Sequence, residues 1–239
     1  PETKKRLNVL KKEGFQQAIL NSSASSPLAA ALSQNSIHYT FLIHELPNIL
    51  NMRNLVSEMH KCCDLASSII VPAQIVSQRL GVEKHSKLSI LPQGLYQPPV
   101  LSAATRQAVR QKLRLTETQF LVLGAGYADM RKGFDLFLQV WRILQNDAHF
   151  VWLGGIDPTI EDGLRSELDL ALTSGTFHMP GNVKNMSDWL SAADVFALTS
   201  REDPYPSVAL EAISAGLFCT VFKDSGGIPF FLESLNATD

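Results

Sequence analysis

Short apolar runs of strand length alternate with segments of helical periodicity along nearly the whole chain. Nine such runs are candidate strands: Gln17–Asn21, Tyr39–His44, Ser68–Val71, Leu88–Leu91, Phe120–Leu123, Phe150–Leu153, Thr176–Met179, Val195–Leu198 and Phe218–Phe222. Helical patterns lie between them, most clearly at Lys132–Gln145, Glu161–Thr173, Met186–Ala193 and Ser207–Ala215. Apolar strands joined by helices are typical of parallel sheets with crossover helices. The alternation therefore predicts an α/β fold.

A proline-rich interval interrupts this alternation near the middle of the chain. Three prolines and a glycine lie between Leu91 and Val100, and Pro98-Pro99 favours an extended, stiff connector. We therefore predict two domains, residues 1–97 and residues 98–239. Parallel sheets bind ligands at the carboxyl ends of their strands, so two Rossmann-like sheets are expected to face each other across one ligand-binding cleft.

Composition narrows the class of protein. Charged residues make up 18% of the 239 residues and the formal net charge is −2, which gives no overall attraction to nucleic acid. Cys62, Cys63 and Cys219 have neither the spacing of a zinc site nor the even number of a disulfide framework, which favours a reducing compartment. No apolar run approaches the roughly 20 residues that span a bilayer, so a cytoplasmic location is predicted. The basic segment from Lys4 to Lys12 is interpreted as a solvated helix face, with peripheral membrane contact as the alternative.

Two carboxylates stand at the two ends of a predicted strand-to-helix junction. Asp203 and Glu211 are eight residues apart, Pro204-Tyr205-Pro206 interrupts the backbone after Asp203, and a helical pattern begins at Ser207. This spacing can direct one carboxylate from a loop and the other from a helix toward the same site. The backbone N–H groups of Ser207 and Val208 are suited to bind an anion at the open N-terminus of that helix. A phosphate flanked by carboxylates that bind hydroxyl groups is what a nucleotide sugar requires.

A glycine turn followed by two adjacent cations lies earlier in the same predicted domain. Gly124 and Gly126 end an apolar strand, but Asp129 occupies the third glycine position, so the segment does not match the GxGxxG dinucleotide fingerprint. Arg131 and Lys132 precede an amphipathic helix, where adjacent cations can neutralise a diphosphate without a metal ion. The alternative is a plain turn with a solvated Arg–Lys pair.

Together these two segments resemble the retaining GT-B glycosyltransferases of the group 1 type, which use nucleotide-sugar donors. Lys132-Gly133 is similar to the end of that family's glycine-rich turn, and Asp203 with Glu211 is similar to its acidic pair, with aspartate in the first place. The segment from Ser225 to Pro229 resembles the glycine loop after the motif helix. Ile43-His44-Glu45 is similar to the family's histidine-containing loop on the acceptor side.

The resemblance implies roles for the matching residues. Those expected to bind the donor are Gly126, Arg131, Lys132, Ser207, Val208, Glu211, Gly226 and Gly227. The catalytic candidates are Asp203, near the transferred sugar, and His44, near the sugar and the acceptor. Tyr127 stands where the family often has arginine, so Arg131 is expected to complete the phosphate clamp with Lys132. No metal ion and no other cofactor is expected.

The function that the resemblance implies is transfer of a sugar from a nucleotide diphosphate sugar to a carbohydrate or lipid-linked acceptor, with retention and without a metal ion. Two alternatives are kept: a nucleotide-sugar epimerase or hydrolase of the same fold, and a non-catalytic nucleotide-binding module. Compared with the family, both domains are expected to be incomplete, the first at its start and the second at its end. This leaves open whether the chain is active by itself.

Overall fold

The computed structural model describes residues 2–235, apart from the side chain of Lys4. Residue 1 and residues 236–239, the outer ends of the two predicted domains, lie outside the described residues. Contacts between Cα atoms divide the chain into two compact units, with the division between Gln93 and Gly94. The domain boundary predicted from the prolines, after residue 97, and the cleft between two domains stay predictions.

Unit 1 is built on a parallel sheet of four strands in the order β1-β2-β3-β4. Its elements are α1 (Glu2–Lys12), β1 (Gln17–Asn21), a 3-10 helix (Ser23–Leu28), α2 (Ala29–Gln34), β2 (His38–Leu42), α3 (Pro47–Met52), α4 (Val56–Leu65), β3 (Ser68–Val71), α5 (Gln74–Leu80) and β4 (Leu88–Ile90). The register aligns Leu20 with Phe41 and Phe41 with Ile69. All three are buried, so one face of the sheet forms the core of this unit.

Unit 2 contains a parallel sheet of five strands in the order β7-β6-β5-β8-β9. Its elements are α6 (Ala103–Lys112), β5 (Phe120–Ala125), α7 (Phe134–Leu144), β6 (Ala148–Leu153), α8 (Pro158–Gly163), α9 (Arg165–Thr173), β7 (Phe177–Gly181), α10 (Met186–Ala192), β8 (Val195–Leu198), α11 (Ser207–Ser214), β9 (Phe218–Val221) and α12 (Ile228–Ser234). The strand order reverses between β5 and β8. Sheets of this kind bind ligands outside the carboxyl ends of the strands at such a reversal.

The core of unit 2 is rich in aromatic side chains. Phe134, Phe137 and Trp141 lie on one stripe of α7, because residues three and four apart share a helix face. They contact Trp152 of β6 and Phe177 of β7 edge to face, with ring centroids 5.1–6.4 Å apart. The Trp152 indole N–H also donates to the Gly126 carbonyl at 3.0 Å. The core thereby holds the turn that follows β5.

An ion-pair cluster joins α6 to the sheet of unit 2. Asp194, just before β8, accepts hydrogen bonds from Arg106 Nη2 at 2.8 Å, Arg110 Nη1 at 3.1 Å and the Leu121 N–H at 2.8 Å. The Arg110 side chain is only 1% exposed and also donates to the Ala192 carbonyl. Burial raises the pKa of Asp194, but the hydrogen bonds from these donors outweigh it and leave the pKa below the ordinary 3.8. Asp194 is therefore the counter-ion of a buried guanidinium.

All nine predicted strands are confirmed, with ends that differ by a few residues. The prediction of a single helix over Glu161–Thr173 is wrong, because α8 ends at Gly163 and α9 begins at Arg165. The Asp157 side chain accepts from the Thr159 N–H at 2.9 Å and starts α8 early. Gly163 has a high entropy cost in a helix, which favours the break at that point.

Among the helices of residues 2–235, none has the length and apolar character needed to span a membrane. The basic N-terminal segment forms α1, in which Lys5, Arg6, Lys11 and Lys12 are exposed. This placement agrees with a solvated basic face, the interpretation favoured by the sequence.

Candidate donor-binding site

The candidate site lies at the carboxyl ends of β5 and β8, where the strand order reverses. The turn after β5 contains Gly126, and the aliphatic stem of Lys132 passes over it: a Cβ at Gly126 would lie 3.2 Å from Lys132 Cε. Asp129, the residue that breaks the dinucleotide fingerprint, accepts from the Lys132 backbone N–H at 2.6 Å. Asp129 thus fixes the turn that presents the lysine.

Lys132 and Asp203 form an ion pair across the reversal point. The Lys132 ammonium donates to Asp203 Oδ2, and the two side chains are only 14% and 8% exposed. The Ser200 hydroxyl donates to the same carboxylate oxygen at 3.3 Å. A shielded pair of this kind interacts more strongly than a surface pair, because water screens it less. The structure thus brings together a predicted donor-binding residue and a predicted catalytic residue.

The main chain around Asp203 is held by the glycine loop before α12. The Asp203 N–H donates to the Ser225 carbonyl at 2.7 Å, and the Gly227 N–H donates to the Pro204 carbonyl at 2.9 Å. Asp203 also pairs with Gly226 in a parallel β-bridge. A Cβ at Gly226 would lie 1.7 Å from the Asp203 carbonyl oxygen, so only glycine allows this approach. In this structure Gly226 and Gly227 position the Asp203 backbone, and their contact with donor stays a prediction.

A second glycine brings the Lys132 loop against the end of β8. Gly133 has a φ of +68°, and a Cβ there would lie 1.9 Å from the Thr199 carbonyl oxygen. The Thr199 hydroxyl donates to the Lys132 carbonyl at 3.2 Å. The segment that carries Lys132 therefore packs closely against the segment that leads to Asp203.

Arg131 was predicted to assist Lys132 in binding phosphate. Its side chain is partly buried, and Nη1 donates to the Glu202 carbonyl at 3.0 Å. In this structure the guanidinium thus stabilises the backbone of the acidic loop. Its phosphate-binding role stays a prediction.

A cavity of about 320 Å³ opens beside the lysine. Among its lining residues are Gly126, Tyr127, Lys132, Gly155, Asn182 and Val208. Three predicted donor-binding residues, Gly126, Lys132 and Val208, therefore share one cavity. Tyr127, which stands where the family often has arginine, brings an aromatic ring to the same space.

Helix α11 begins beside this cavity. Its N-cap is Pro206, which has no side-chain oxygen to accept from the first N–H groups, and Ser207 and Val208 are the first helical residues. Glu211 follows one turn later and is partly buried. Burial raises the pKa of its carboxyl above the ordinary 4.5. Burial alone accounts for this shift of the Glu211 pKa.

His44, the other catalytic candidate, lies in unit 1 in the loop after β2. Its side chain is exposed, and Nε2 lies 2.9 Å from Asn21 Oδ1 at the end of β1. Glu45 next to it accepts from the Ser23 N–H at 3.1 Å and from the Ser23 hydroxyl at 2.9 Å. The loop is well anchored within its own unit. The predicted place of His44 beside the transferred sugar stays a prediction.

Two residues that carry much of the local structure were not singled out from the sequence. Arg201 forms a bidentate pair with Asp135, with both N–O distances 2.7 Å. Both residues are charged and lie next to predicted site segments. Arg201 is part of the acidic motif, and Asp135 lies in the first turn of the helix after Lys132-Gly133. The spacing of Asp135 and Arg201 in the sequence does not predict that they form an ion pair.

Metal sites in proteins usually combine several His, Cys, Asp or Glu side chains. In the described part of the chain, no three side chains of His, Cys, Asp or Glu are grouped so that they could hold a metal ion. Cys62, Cys63 and Cys219 are free thiols.

Residues 104–236 match the model of the family described as glycosyl transferases group 1. A D-inositol 3-phosphate glycosyltransferase of Xylanimonas cellulosilytica is 33% identical over 142 residues, which cover 54% of this chain and 33% of the relative. An alpha-galactosylglucosyldiacylglycerol synthase of Streptococcus pneumoniae is 32% identical over 110 residues, which cover 44% of this chain and 29% of the relative. The matched segments thus cover about a third of the length of each of these relatives.

Solved structures share the fold over almost the entire chain. Anabaena HepE in complex with UDP has a TM-score of 0.75 at 14% identity, covering 98% of this chain and 72% of that one. Sucrose-phosphate synthase from Thermosynechococcus elongatus has a TM-score of 0.72 at 20% identity, covering 91% of this chain and 58% of that one. At such identities the likeness establishes the fold alone. It confirms the predicted α/β class with two parallel sheets.

Proposed function

Because this chain belongs to the group 1 glycosyl transferases and has their GT-B type of fold, we propose that it transfers a sugar from a nucleotide diphosphate sugar to a carbohydrate or lipid-linked acceptor. One observation carries this proposal. The Lys132 ammonium is held by Asp203 at the point where the strand order reverses, beside the cavity that Val208 at the start of α11 also lines. A diphosphate seated there would meet a cation and a helix N-terminus together.

In the proposed reaction, the bond between the anomeric carbon and the phosphate oxygen breaks, a bond to the acceptor oxygen forms, and the acceptor hydroxyl gives up its proton. The departing nucleoside diphosphate gains negative charge, so stabilising that group is the main electrostatic task. Lys132 and the N–H groups of Ser207 and Val208 would perform it, with Arg131 as a nearby second cation. We propose on this basis that the reaction needs no metal ion. Retention of anomeric configuration is proposed from the family resemblance.

The remaining site residues would orient the donor. Glu211 would accept hydrogen bonds from the ribose hydroxyls, since its partly buried carboxyl lies one helical turn after Val208, which lines the cavity. Asp203 would contact the transferred sugar once phosphate has drawn the ammonium away from it. His44 would lie near the sugar and acceptor, and Gly126, Gly226 and Gly227 would allow close approach of backbone.

The similar proteins support the kinds of ligand in this proposal. HepE has been crystallised with UDP, with UDP and glucose, and with UDP-glucose. The two curated relatives are named for an inositol phosphate and for a diacylglycerol glycolipid. We further propose a cytoplasmic location, with the exposed basic residues of α1 available for peripheral membrane contact.

The proposal is tested by nucleotide binding and by transfer. Thermal shift with UDP, GDP, ADP and dTDP should show one nucleotide that raises the melting temperature, because a ligand of the folded state stabilises it by mass action. With the matching labelled nucleotide sugar, label should move to an acceptor and should still do so in excess chelator. A flat response to all four nucleotides would overturn the proposal. Release of label without an acceptor would favour a hydrolase, and an isomerised donor would favour an epimerase.

Glu211→Gln is expected to weaken binding of the nucleoside diphosphate about 10- to 100-fold, because hydrogen bonds to a charged acceptor contribute about 1.5–3 kcal/mol. The same change should stabilise the ligand-free protein at neutral pH. The raised pKa means that the folded state holds this proton more tightly than the unfolded state, so stability falls as the pH rises above 4.5. Glutamine has no such loss.

Calorimetric titration and urea unfolding at pH 4 and pH 7 measure the two effects of this substitution. The gain in stability should be larger at pH 7. Glu233→Gln, an exposed glutamate of α12, is the matched control and should change neither quantity. Unchanged nucleotide affinity in Glu211→Gln would show that the carboxylate does not bind the ribose.

A further inference from the structure

Three consecutive carbonyl groups of the Lys132 loop are bound by two residues of the segment after β8, Thr199 and Arg201. The Met130 carbonyl accepts from Arg201 Nη1 at 2.7 Å, and the Arg131 carbonyl accepts from the Arg201 N–H at 2.8 Å. The Lys132 carbonyl accepts from the Thr199 hydroxyl at 3.2 Å. The loop that carries the lysine is thus fixed by its backbone to the segment that carries the acidic motif.

Arg201 makes two of these contacts and adds a third to the next helix. Its guanidinium forms a bidentate pair with Asp135 in the first turn of α7, with both distances 2.7 Å. The hydrogen bond from Arg201 holds the pKa of Asp135 below its ordinary 3.8, so the carboxylate stays ionised at neutral pH. A carboxylate in the first turn of a helix is also favoured by the helix dipole. Arg201 therefore ties both ends of the Lys132 loop to one residue.

The guanidinium itself lies outside the cavity. The cavity is lined by Gly126, Tyr127, Lys132 and Val208, whereas Arg201 is partly exposed and directed toward Met130 and Asp135. Lysine has a long side chain with four rotatable bonds, so the place of its ammonium depends on where the main chain holds its Cα. A group that immobilises this backbone reduces the ordering that the ligand must otherwise impose.

We infer that Arg201, through Asp135 and the carbonyls of Met130 and Arg131, is a positioning residue that sets the Lys132 ammonium for the donor diphosphate. The inference rests on the proposed function, because it assumes that Lys132 binds phosphate. It assigns Arg201 no contact with the donor. Its effect on binding should therefore act through Lys132 alone.

A double-mutant cycle tests this inference. The quantity measured is the affinity for whichever of UDP, GDP, ADP and dTDP binds the unsubstituted protein most tightly. Arg201→Gln should weaken nucleoside diphosphate binding about tenfold, a coupling of the size found between residues in one hydrogen-bond network. In a Lys132→Met background, Arg201→Gln should change the affinity less than about twofold. Affinity for the matching nucleoside without phosphates should be the same in all four proteins, which a general loosening of the fold would not allow.

Two further variants complete the test: a second substitution that disrupts the same contact, and a matched control at an exposed pair. Asp135→Asn removes the charge that holds the guanidinium and should weaken binding in the same direction if Arg201→Gln fails to fold. Arg165→Gln removes another Arg–Asp contact, the exposed pair with Asp162 at 2.6 Å, and should leave the affinity unchanged. An Arg201→Gln effect that persists in the Lys132→Met background overturns the inference alone. No binding of any of the four nucleotides by the unsubstituted protein overturns the proposed function and, with it, this inference.

Discussion

Lys132→Met is expected to weaken binding of the nucleoside diphosphate at least 100-fold and to abolish sugar transfer. Lys132 lines the cavity beside Gly126 and brings a cation to it. Charge-assisted hydrogen bonds contribute about 1.5–3 kcal/mol each, and a phosphate can accept more than one from a lysine. Transfer should fall further than binding, since removing one donor to a developing negative charge costs about 10²–10³-fold in rate. Methionine keeps an unbranched stem over the glycine, so the change removes mainly the charge.

Lys132→Met leaves Asp203 without its ion-pair partner, so the effect of that loss on stability needs a control. Asp203 is almost buried, and an unpaired buried carboxylate destabilises the fold. The double variant Lys132→Met/Asp203→Asn should recover stability in urea unfolding while nucleotide affinity stays low. Asp203→Asn alone releases the ammonium and should bind the nucleoside diphosphate at least as tightly as the unsubstituted protein. Lys61→Met, which removes an exposed lysine paired with Glu58, should change neither property. Full affinity in Lys132→Met would show that the lysine does not hold phosphate.

Asp194→Ala is expected to destabilise the protein by about 3–5 kcal/mol, the usual cost of removing one partner from a buried ion pair. The loss leaves Arg110, 1% exposed, without its carboxylate, and it leaves the Leu121 N–H at the start of β5 without an acceptor. Single domains unfold with about 5–15 kcal/mol in total, so this change should remove a large part of the stability. Denaturant unfolding monitored by tryptophan fluorescence measures it.

The acid dependence of this effect has a definite sign. Because the pKa of Asp194 is lowered in the folded state, its contribution is present above the ordinary 3.8 and is lost as the pH falls through the lowered value. The stability difference between the unsubstituted protein and Asp194→Ala should therefore shrink in acid. Replacing Arg110 with methionine in the alanine variant should restore part of the stability. Asp162→Ala, at an exposed pair, should have little effect. An equal loss at both aspartates would show that the cluster around Asp194 is not a buried pair in solution.

The sequence predicts the strands because each is a short apolar run bounded by polar or glycine residues. Phe120–Leu123 and Val195–Leu198 were placed in this way, and their carboxyl ends carry the candidate site. That Lys132 and Asp203 meet there could also be expected, since parallel strands end at one edge of the sheet. Which strands are neighbours at that edge is set by the packing of the whole unit. The reversal between β5 and β8 is a finding of the structure.

The contacts of individual charged side chains were harder to predict. The sequence places Arg131 beside Lys132, but only the fold shows that its guanidinium reaches the Glu202 carbonyl. The pair of Arg201 with Asp135 joins residues that are 66 positions apart. Local periodicity contains no information on contacts at such separation, because they depend on the register in which two loops meet. If Arg131, Arg201 and Asp135 were interpreted only as solvated surface charges, these structural contacts would be missed.

The approach of main chain to main chain at Gly133 and Gly226 bears on how this protein could diverge from its relatives. At both positions a carbonyl oxygen lies where a Cβ would stand, so the backbone around Lys132 and Asp203 is held by atoms that every residue possesses. Side chains such as Tyr127 and Asn182 can then be exchanged without moving that frame, whereas the two glycines cannot. Differences in ligand preference between chains of this fold would then be expected in the side chains of the cavity and not in the backbone around it.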